Sequence, residues 1–306
     1  MNVVKLYLAA TAFCVMPILA EGQNHDFSRY GGLSGRELAD AVRADYAPTS
    51  YGETGTIETW PGAGTRAAFL IPAEWTGENL NDRYNIVGGD DDFIRLREDY
   101  IPGNLTETTH SAQGWAIGFT TISGIPTNAW QPAADRRGDA ARRIMYISLM
   151  YPRELWHSRG VMFMADGNWP LLTTYGKNLL KEWNESDPVD RREIEESARI
   201  FSTQGNENPF VIYPELFEYL WGDKSGETVI PDDKIDLSTL KASYSRSGDK
   251  FIDFYSPLVP EDAIWFFDGG PVDSESIALD DVATGTHIIS YRAAKGSGKL
   301  KIAVTP

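Results

Sequence analysis

LLKEWNESDPVDRREIEESARIFSTQGNENPFVIYPELFEYLWG, residues 179–222, carries the clearest structural grammar of this chain. An amphipathic helix expected over Pro170 to Trp183 runs into its first residues. Pro188 to Ser202 predicts a second helix, with Asp187 as N-cap and Pro188 at the first helical position, where a missing N–H is harmless. Asp190 falls in its first turn, and Glu193, Glu195 and Glu196 in its body. A third helix, Tyr213 to Trp221, closes at Gly222.

Upstream, GDAARRIMYISLMY (Gly138 to Tyr151) spaces Ala141, Ile144, Met145, Ile147 and Leu149 as in a largely buried helix. Ser34 to Ala47 predicts the first helix. Ser34 and Glu37 have capping-box spacing, and Leu38, Ala41 and Val42 share a face. Gly52–Trp60, Arg66–Ile71, Asp82–Val87 and Trp115–Ile122 read as short strands. A Gly88-Gly89 turn and a short acidic helix, Asp91 to Asp99, follow the third of them. After Asp223 the helical period stops. KASYSR, FIDFYS, AIWFF, HIISYRA and KLKIAV are β-branched or aromatic runs divided by Gly, Pro and Asp. The expected architecture is an α+β core over residues 21–222, followed by a small antiparallel β-sandwich over 223–306.

The 179–222 stretch resembles the endonuclease I family pattern LLxWxxxDPVxxxExxRNxxIxxxQGNRNPF. GDAARRIMYISLMY is similar to that family's GDxARxxxYMxxRY, and GLSGRELADAVRADY to its opening helix. Family members are secreted nucleases that cut DNA or RNA with little sequence preference. The resemblance implies a mainly helical core with a small sheet and a strand–strand–helix metal motif. In that motif, Glu-His-x-x-Pro-x-Ser-Trp carries a metal ligand and the general base. Asp-Leu-His-Asn-Leu forms the second strand, and Asn-x-x-Arg-x-Asn supplies the other ligand. Cation and imidazole cooperate, one neutralising charge on the phosphate, the other taking a proton from water.

Aligned to that motif, AFLIPAEW (Ala68 to Trp75) keeps Pro72 and Trp75 but has Ala68 and Phe69 for the Glu and His. DRYNI keeps Asp82 and Asn85 but has Tyr84 for the His, and IRLRED keeps Arg97 but has Ile94 for the ligand Asn. A methyl, a phenyl ring and a branched alkyl neither bind a hard cation nor move a proton. The site is therefore expected to be degenerate at Ala68, Phe69, Tyr84 and Ile94, with no metal ligand. Asn85 and Arg97 remain as candidate nucleic-acid contacts, and Mg or Ca would be needed only if activity survives. In QGNENPF, Glu207 stands where the family commonly has Arg, a sign reversal that opposes phosphate.

Composition agrees. Lys and Arg number 28 against 44 Asp and Glu, giving a formal charge of −16 that disfavours nucleic acid as partner. No other partner is legible. MNVVKLYLAATAFCVMPILA reads as a leader cleaved after Ala20, which implies a secreted or periplasmic protein, and no later segment is apolar enough to span a membrane. Cys14, the sole cysteine, lies inside that leader. His25, His110, His157 and His287 read as surface or packing residues. The leading expectation is a nuclease-derived protein that has lost or weakened hydrolysis and acts by binding. One alternative is an active endonuclease using relocated residues, His110 with the acidic group Asp90, Asp91, Asp92, Glu98 and Asp99. Another is a surface adhesin acting through the β tail.

Overall fold

The computed structural model describes residues 27–48, 66–77, 80–89, 91–97, 99–112, 115–152, 158–165, 169–229, 237–259, 263–272, 274, 276–292 and 297–306. The leader and the strand expected at Gly52–Trp60 lie outside them.

Helix α1 (Gly35–Tyr46) opens the described chain and turns Leu38, Ala39, Val42 and Tyr46 inward. Strand β1 (Arg66–Phe69) is followed by the single turn α2 (Ala73–Thr76) and a 3-10 turn at Arg83–Asn85. Strand β2 (Ile86–Gly89) then pairs antiparallel with β1, and α3 (Asp91–Arg97) follows it. Strands β3 (Ile101–Pro102), β4 (Glu107–Ala112), β5 (Trp115–Ile122) and β6 (Ile125–Gln131) form one sheet in the order β3-β6-β5-β4. Only β5 of these was expected. The others are short or rich in Thr and Pro and carry no apolar alternation that would mark them.

Helix α4 (Arg137–Met150) runs through the core with every residue from Gly138 to Met150 buried. It packs on α5 (Thr174–Ser186), whose N-cap Thr173 accepts from Gly176 N at 3.1 Å. Helix α6 (Arg191–Gln204) starts three residues after Pro188. Asp187 does not cap it, because its carboxylate accepts from Gly138 N (2.9 Å) and its carbonyl from Arg142 (2.9 Å), both at the head of α4. Asp190 caps α6 instead, accepting from Glu193 N at 2.9 Å. Ser34 precedes α1 as expected but makes no side-chain cap bond. A short helix, α7 (Pro209–Ile212), which Asn208 starts by accepting from Phe210 N, precedes the helix expected over Tyr213–Trp221, and of that span only α8 (Leu216–Leu220) is helical. A continuous apolar cluster joins these elements, including Trp75, Trp130, Ile144, Trp183 and Phe217.

The remainder is strand: β7 (Ser243–Ser245), β8 (Phe251–Asp253), β9 (Ile264–Phe267), β10 (Gly270–Val272), β11 (Ser276–Ala278), β12 (Gly285–Arg292) and β13 (Ser297–Thr305). Five form a sheet in the order β10-β9-β12-β13-β7, and β11 pairs with β8 separately. The β13–β7 pair is parallel, so the expectation of a wholly antiparallel tail is corrected: β7 returns from the core beside the last strand rather than by a hairpin. Ile252, Phe254, Leu279, Ile289, Tyr291, Ile302 and Val304 share a second apolar cluster. Phe266 and Ile264 of β9 pack against Ile194 of α6 and Val211 of α7, joining the strands to the helices.

Candidate functional site

The turn that feeds β2 is fixed by one buried carboxylate. Asp82 has no exposed surface. Its Oδ1 accepts from Tyr84 N (2.8 Å) and Gln204 Nε2 (3.0 Å), and its Oδ2 from the hydroxyls of Tyr146 and Tyr151 (2.8 Å each). Gln204 Oε1 accepts from Arg83 N at 2.9 Å. Asn206 donates to the Tyr46 carbonyl (2.9 Å) and the Tyr146 hydroxyl (2.6 Å), and Asn208 to the Arg142 carbonyl (3.1 Å). The QGNEN segment thus knots α1, α4 and the β2 turn together.

Adjacent arginines on α4 complete the frame. Arg142 forks onto Glu193 at 2.6–2.8 Å and donates to Asn184 at 2.9 Å. Arg143 pairs with Glu196 and donates to the carbonyls of Arg83, Tyr84 and Ile86 at 3.3–3.4 Å. Glu193 and Glu196 sit one helical turn apart on α6, so they meet two consecutive arginines of α4. Arg143 was missed in the sequence. The legible signal was the paired spacing, Arg-Arg on one buried helix and Glu-x-x-Glu on another.

The strand–strand–helix unit has its strands in register, Ala68 opposite Val87 and Phe69 opposite Ile86. Arg97 ties α3 to β1 by donating to the Phe69 carbonyl, and its guanidinium lies 5.1 Å from the Trp130 ring centroid. Burial lowers Arg97 to about 10, against an opposing pull from Glu74, so it stays a cation at neutral pH. Ile94, half-buried, lies one turn earlier on α3. Phe69 and α3 are brought together. Tyr84 instead enters the helical layer, where its hydroxyl bonds Ser197 Oγ at 2.9 Å and its ring lies 4.5 Å from that of Tyr146. Burial pushes its hydroxyl well above the ordinary tyrosine range.

The kept residues serve the chain itself. Asn85 is fully buried; its Oδ1 accepts from Ile71 N (2.8 Å) and its Nδ2 donates to the carbonyls of Ile71 (3.2 Å) and Leu80 (3.1 Å). Arg97 is 5% exposed. Glu207, read from the sequence as a sign reversal that opposes phosphate, is buried at 4% exposure. A divalent cation held in the family manner needs oxygen donors at positions 68 and 94. Those positions are the ones the resemblance assigns, and Ala68 and Ile94 have no such donor, so these residues do not fit that metal.

The histidines are dispersed. His25 and His157 lie outside the described residues. His110 stands on β4 beside an irregularity in the β4–β5 pairing, not in a loop, and its buried Nε2 has no hydrogen-bond partner among the described residues. Asp90 and Glu98 lie outside the described residues, as do the side chains of Asp91 and Asp92. The Asp99 carboxylate is held by Ser158 Oγ (2.7 Å) and Arg159 Nε (3.3 Å).

Two short antiparallel strands and a helix, seated on a helical layer through a buried amide knot, place this chain among α+β proteins. It belongs to the endonuclease I family, whose model matches residues 45–215. It is similar to an extracellular ribonuclease of Bacillus subtilis, 25% identical over 195 residues, which is 63% of this chain and 58% of the relative. An extracellular ribonuclease of Bacillus amyloliquefaciens is 23% identical over 195 residues, again 63% of this chain and 58% of the relative. The chain thus spans 58% of the length of the curated relatives it matches. Among the described residues, no helix is long and apolar enough to cross a membrane.

Proposed function

We propose that the chain is an exported endonuclease I-type protein in which phosphodiester hydrolysis is lost or impaired and which acts by binding. The observation that carries this reading is the set Ala68, Phe69 and Ile94 on β1 and α3. Hydrolysis on this scaffold calls for a proton acceptor beside a cation, and these side chains supply neither. The acidic balance, −16 overall, supports the same reading. Export is supported by the leader-like first twenty residues and by relatives named as extracellular. Two sheets around one apolar core support a small C-terminal sandwich, with a boundary after Gly222.

The test is incubation of purified protein with plasmid DNA and with RNA in Mg²⁺ at physiological salt. The expected result is no cleavage above buffer, with detectable cleavage when Ala68→Glu, Phe69→His and Ile94→Asn are combined. Robust wild-type cleavage that survives Phe69→Ala would overturn the proposal. If His110→Ala then abolished it, relocated chemistry at His110 would be the correct reading.

One observation favours a second reading, adhesion through the C-terminal strands. Phe251, Tyr255 and Leu258 are 52%, 74% and 50% exposed within eight residues, alternating with buried Ile252 and Phe254. Replacing all three with Ser should abolish cell-surface retention if that reading holds, and leave it intact if binding resides in the core.

A further inference from the structure

From β8 onward the chain alternates strictly between outside and inside. Phe251, Asp253 and Tyr255 are exposed, while Ile252, Phe254 and Ser256 are buried. Neither exposed ring stacks on another aromatic among the described residues. Register partners in an antiparallel pair share a face. Strand β11 therefore sets Ala278 beside Phe251 and Ser276 beside Asp253, side chains too small to cover the rings. The Asp253 carboxylate makes no hydrogen bond or ion pair among the described residues. On a chain with a rise of about 3.3 Å per residue, rings four residues apart stand about 13 Å apart, a longer span than one pyranose. This face also lies outside residues 45–215, the span that matches the family.

We propose that Phe251, Asp253 and Tyr255 form a platform for a non-acidic polysaccharide, which rests on the adhesive reading of the C-terminal strands and names its ligand class. The C–H face of a sugar ring packs on an aromatic face, whose negative quadrupole attracts the polarised hydrogens. Hydroxyls at the edge of the sugar donate to a carboxylate, which accepts only. Ser276 places a further hydroxyl on the same face. Asp253 decides between partners. A lipid tail, or the dry centre of a protein interface, would take its charge out of water unpaired, which is costly. A glycan leaves the carboxylate wet and hydrogen-bonded. Nucleic acid and acidic polysaccharides are repelled, by Asp253 and by the excess of Asp and Glu over Lys and Arg across residues 223–306.

The test mixes purified full chain with insoluble cellulose, chitin and starch and measures the fraction pelleted. Wild type should be retained on at least one polymer, and the soluble hexasaccharide of that polymer should compete. Phe251→Ala and Tyr255→Ala should each weaken retention about tenfold, the worth of one good aromatic contact. Asp253→Ala should weaken it several-fold, and Asp253→Asn should restore most of that loss, because an amide oxygen still accepts from hydroxyls. The side chains are exposed, so melting curves should match wild type. Should Phe251→Ala melt early, Phe251→Leu, which keeps bulk without the ring, takes its place. No retention on any of the three polymers, or retention that the variants leave unchanged, would overturn the proposal. The adhesive reading fails separately. A chain that pellets with a glycan yet stays on cells after Phe251, Tyr255 and Leu258 become Ser refutes adhesion alone. Loss of cell retention in that variant, with no polysaccharide bound by wild type, refutes glycan recognition alone.

Discussion

Gln204 Nε2 donates to Asp82 Oδ1 at 3.0 Å across 122 residues of chain, so the amide knot after α6 and the turn before β2 are one hydrogen-bonded unit. Asp82 accepts from four donors, the others being Tyr84 N, Tyr146 and Tyr151. Deleting an acceptor buried this deeply leaves those donors without partners or water. Asp82→Ala should therefore cost about 3–5 kcal/mol of unfolding free energy, measured by urea denaturation. A loss below about 1 kcal/mol would mean that the turn is held by other contacts.

Gly138 opens the buried face of α4. A Cβ placed there would come within 1.8 Å of the Asp187 carbonyl oxygen and 2.8 Å of the Arg142 guanidinium. No rotamer relieves a clash with backbone. Gly138→Ala should push α4 away from the end of α5 and lower stability by about 1–3 kcal/mol or more. A variant as stable as wild type would show that the two helix ends are loosely joined.

Helix ends offer a paired comparison. Asp190 accepts from Glu193 N, whereas Ser34 caps nothing with its side chain. Asp190→Ala should cost about 1 kcal/mol and Ser34→Ala less than about 0.5 kcal/mol. Equal losses in chemical denaturation would contradict the assigned caps.

Asp139 predicts a pH dependence. Burial first, then neighbouring Glu193, pushes its carboxyl up to about 8, with Arg142 pulling the other way. Unfolded, the same group titrates near about 3.9. Between these values the folded chain holds the proton and the unfolded chain does not. This contribution is complete below about pH 4 and is lost as pH rises through 8, by up to about 1.4 kcal/mol per unit. Asp139→Asn should flatten the stability profile between pH 5 and 8. A profile parallel to wild type would show that Arg136, Arg142 and Arg192, all within 3.5 Å, keep the carboxylate charged.

The helices were legible because burial imprints a period: α4, α5 and α6 all lie where apolar spacing and cap residues put them, to within a few residues. The shift of the α6 start had a tertiary cause, since Asp187 is engaged by α4 and a local pattern cannot report that. Strands β3, β4 and β6 were not legible, because Thr, Pro and His in short edge or half-covered strands leave no alternation. At the candidate site, the sequence located β1 and α3 through Pro72, Trp75 and Arg97. It set the second strand over Asp82–Val87 with a turn at Gly88-Gly89, whereas Arg83–Asn85 form a 3-10 turn and β2 runs from Ile86 through Gly89. It did not reveal that Asn85 and Arg97 face inward, because an amide or guanidinium bonded to backbone reads the same as one awaiting a ligand.

The three amides of QGNEN have a bearing on how such chains are sorted. Gln204, Asn206 and Asn208 are all fully enclosed and each bonds a different element. Their retention is a requirement of assembling the molecule and is indifferent to what β1 carries. A survey that sorts proteins by this fingerprint would collect chains that share the scaffold whatever residues stand at positions 68, 69 and 94, on which the proposed loss of hydrolysis rests.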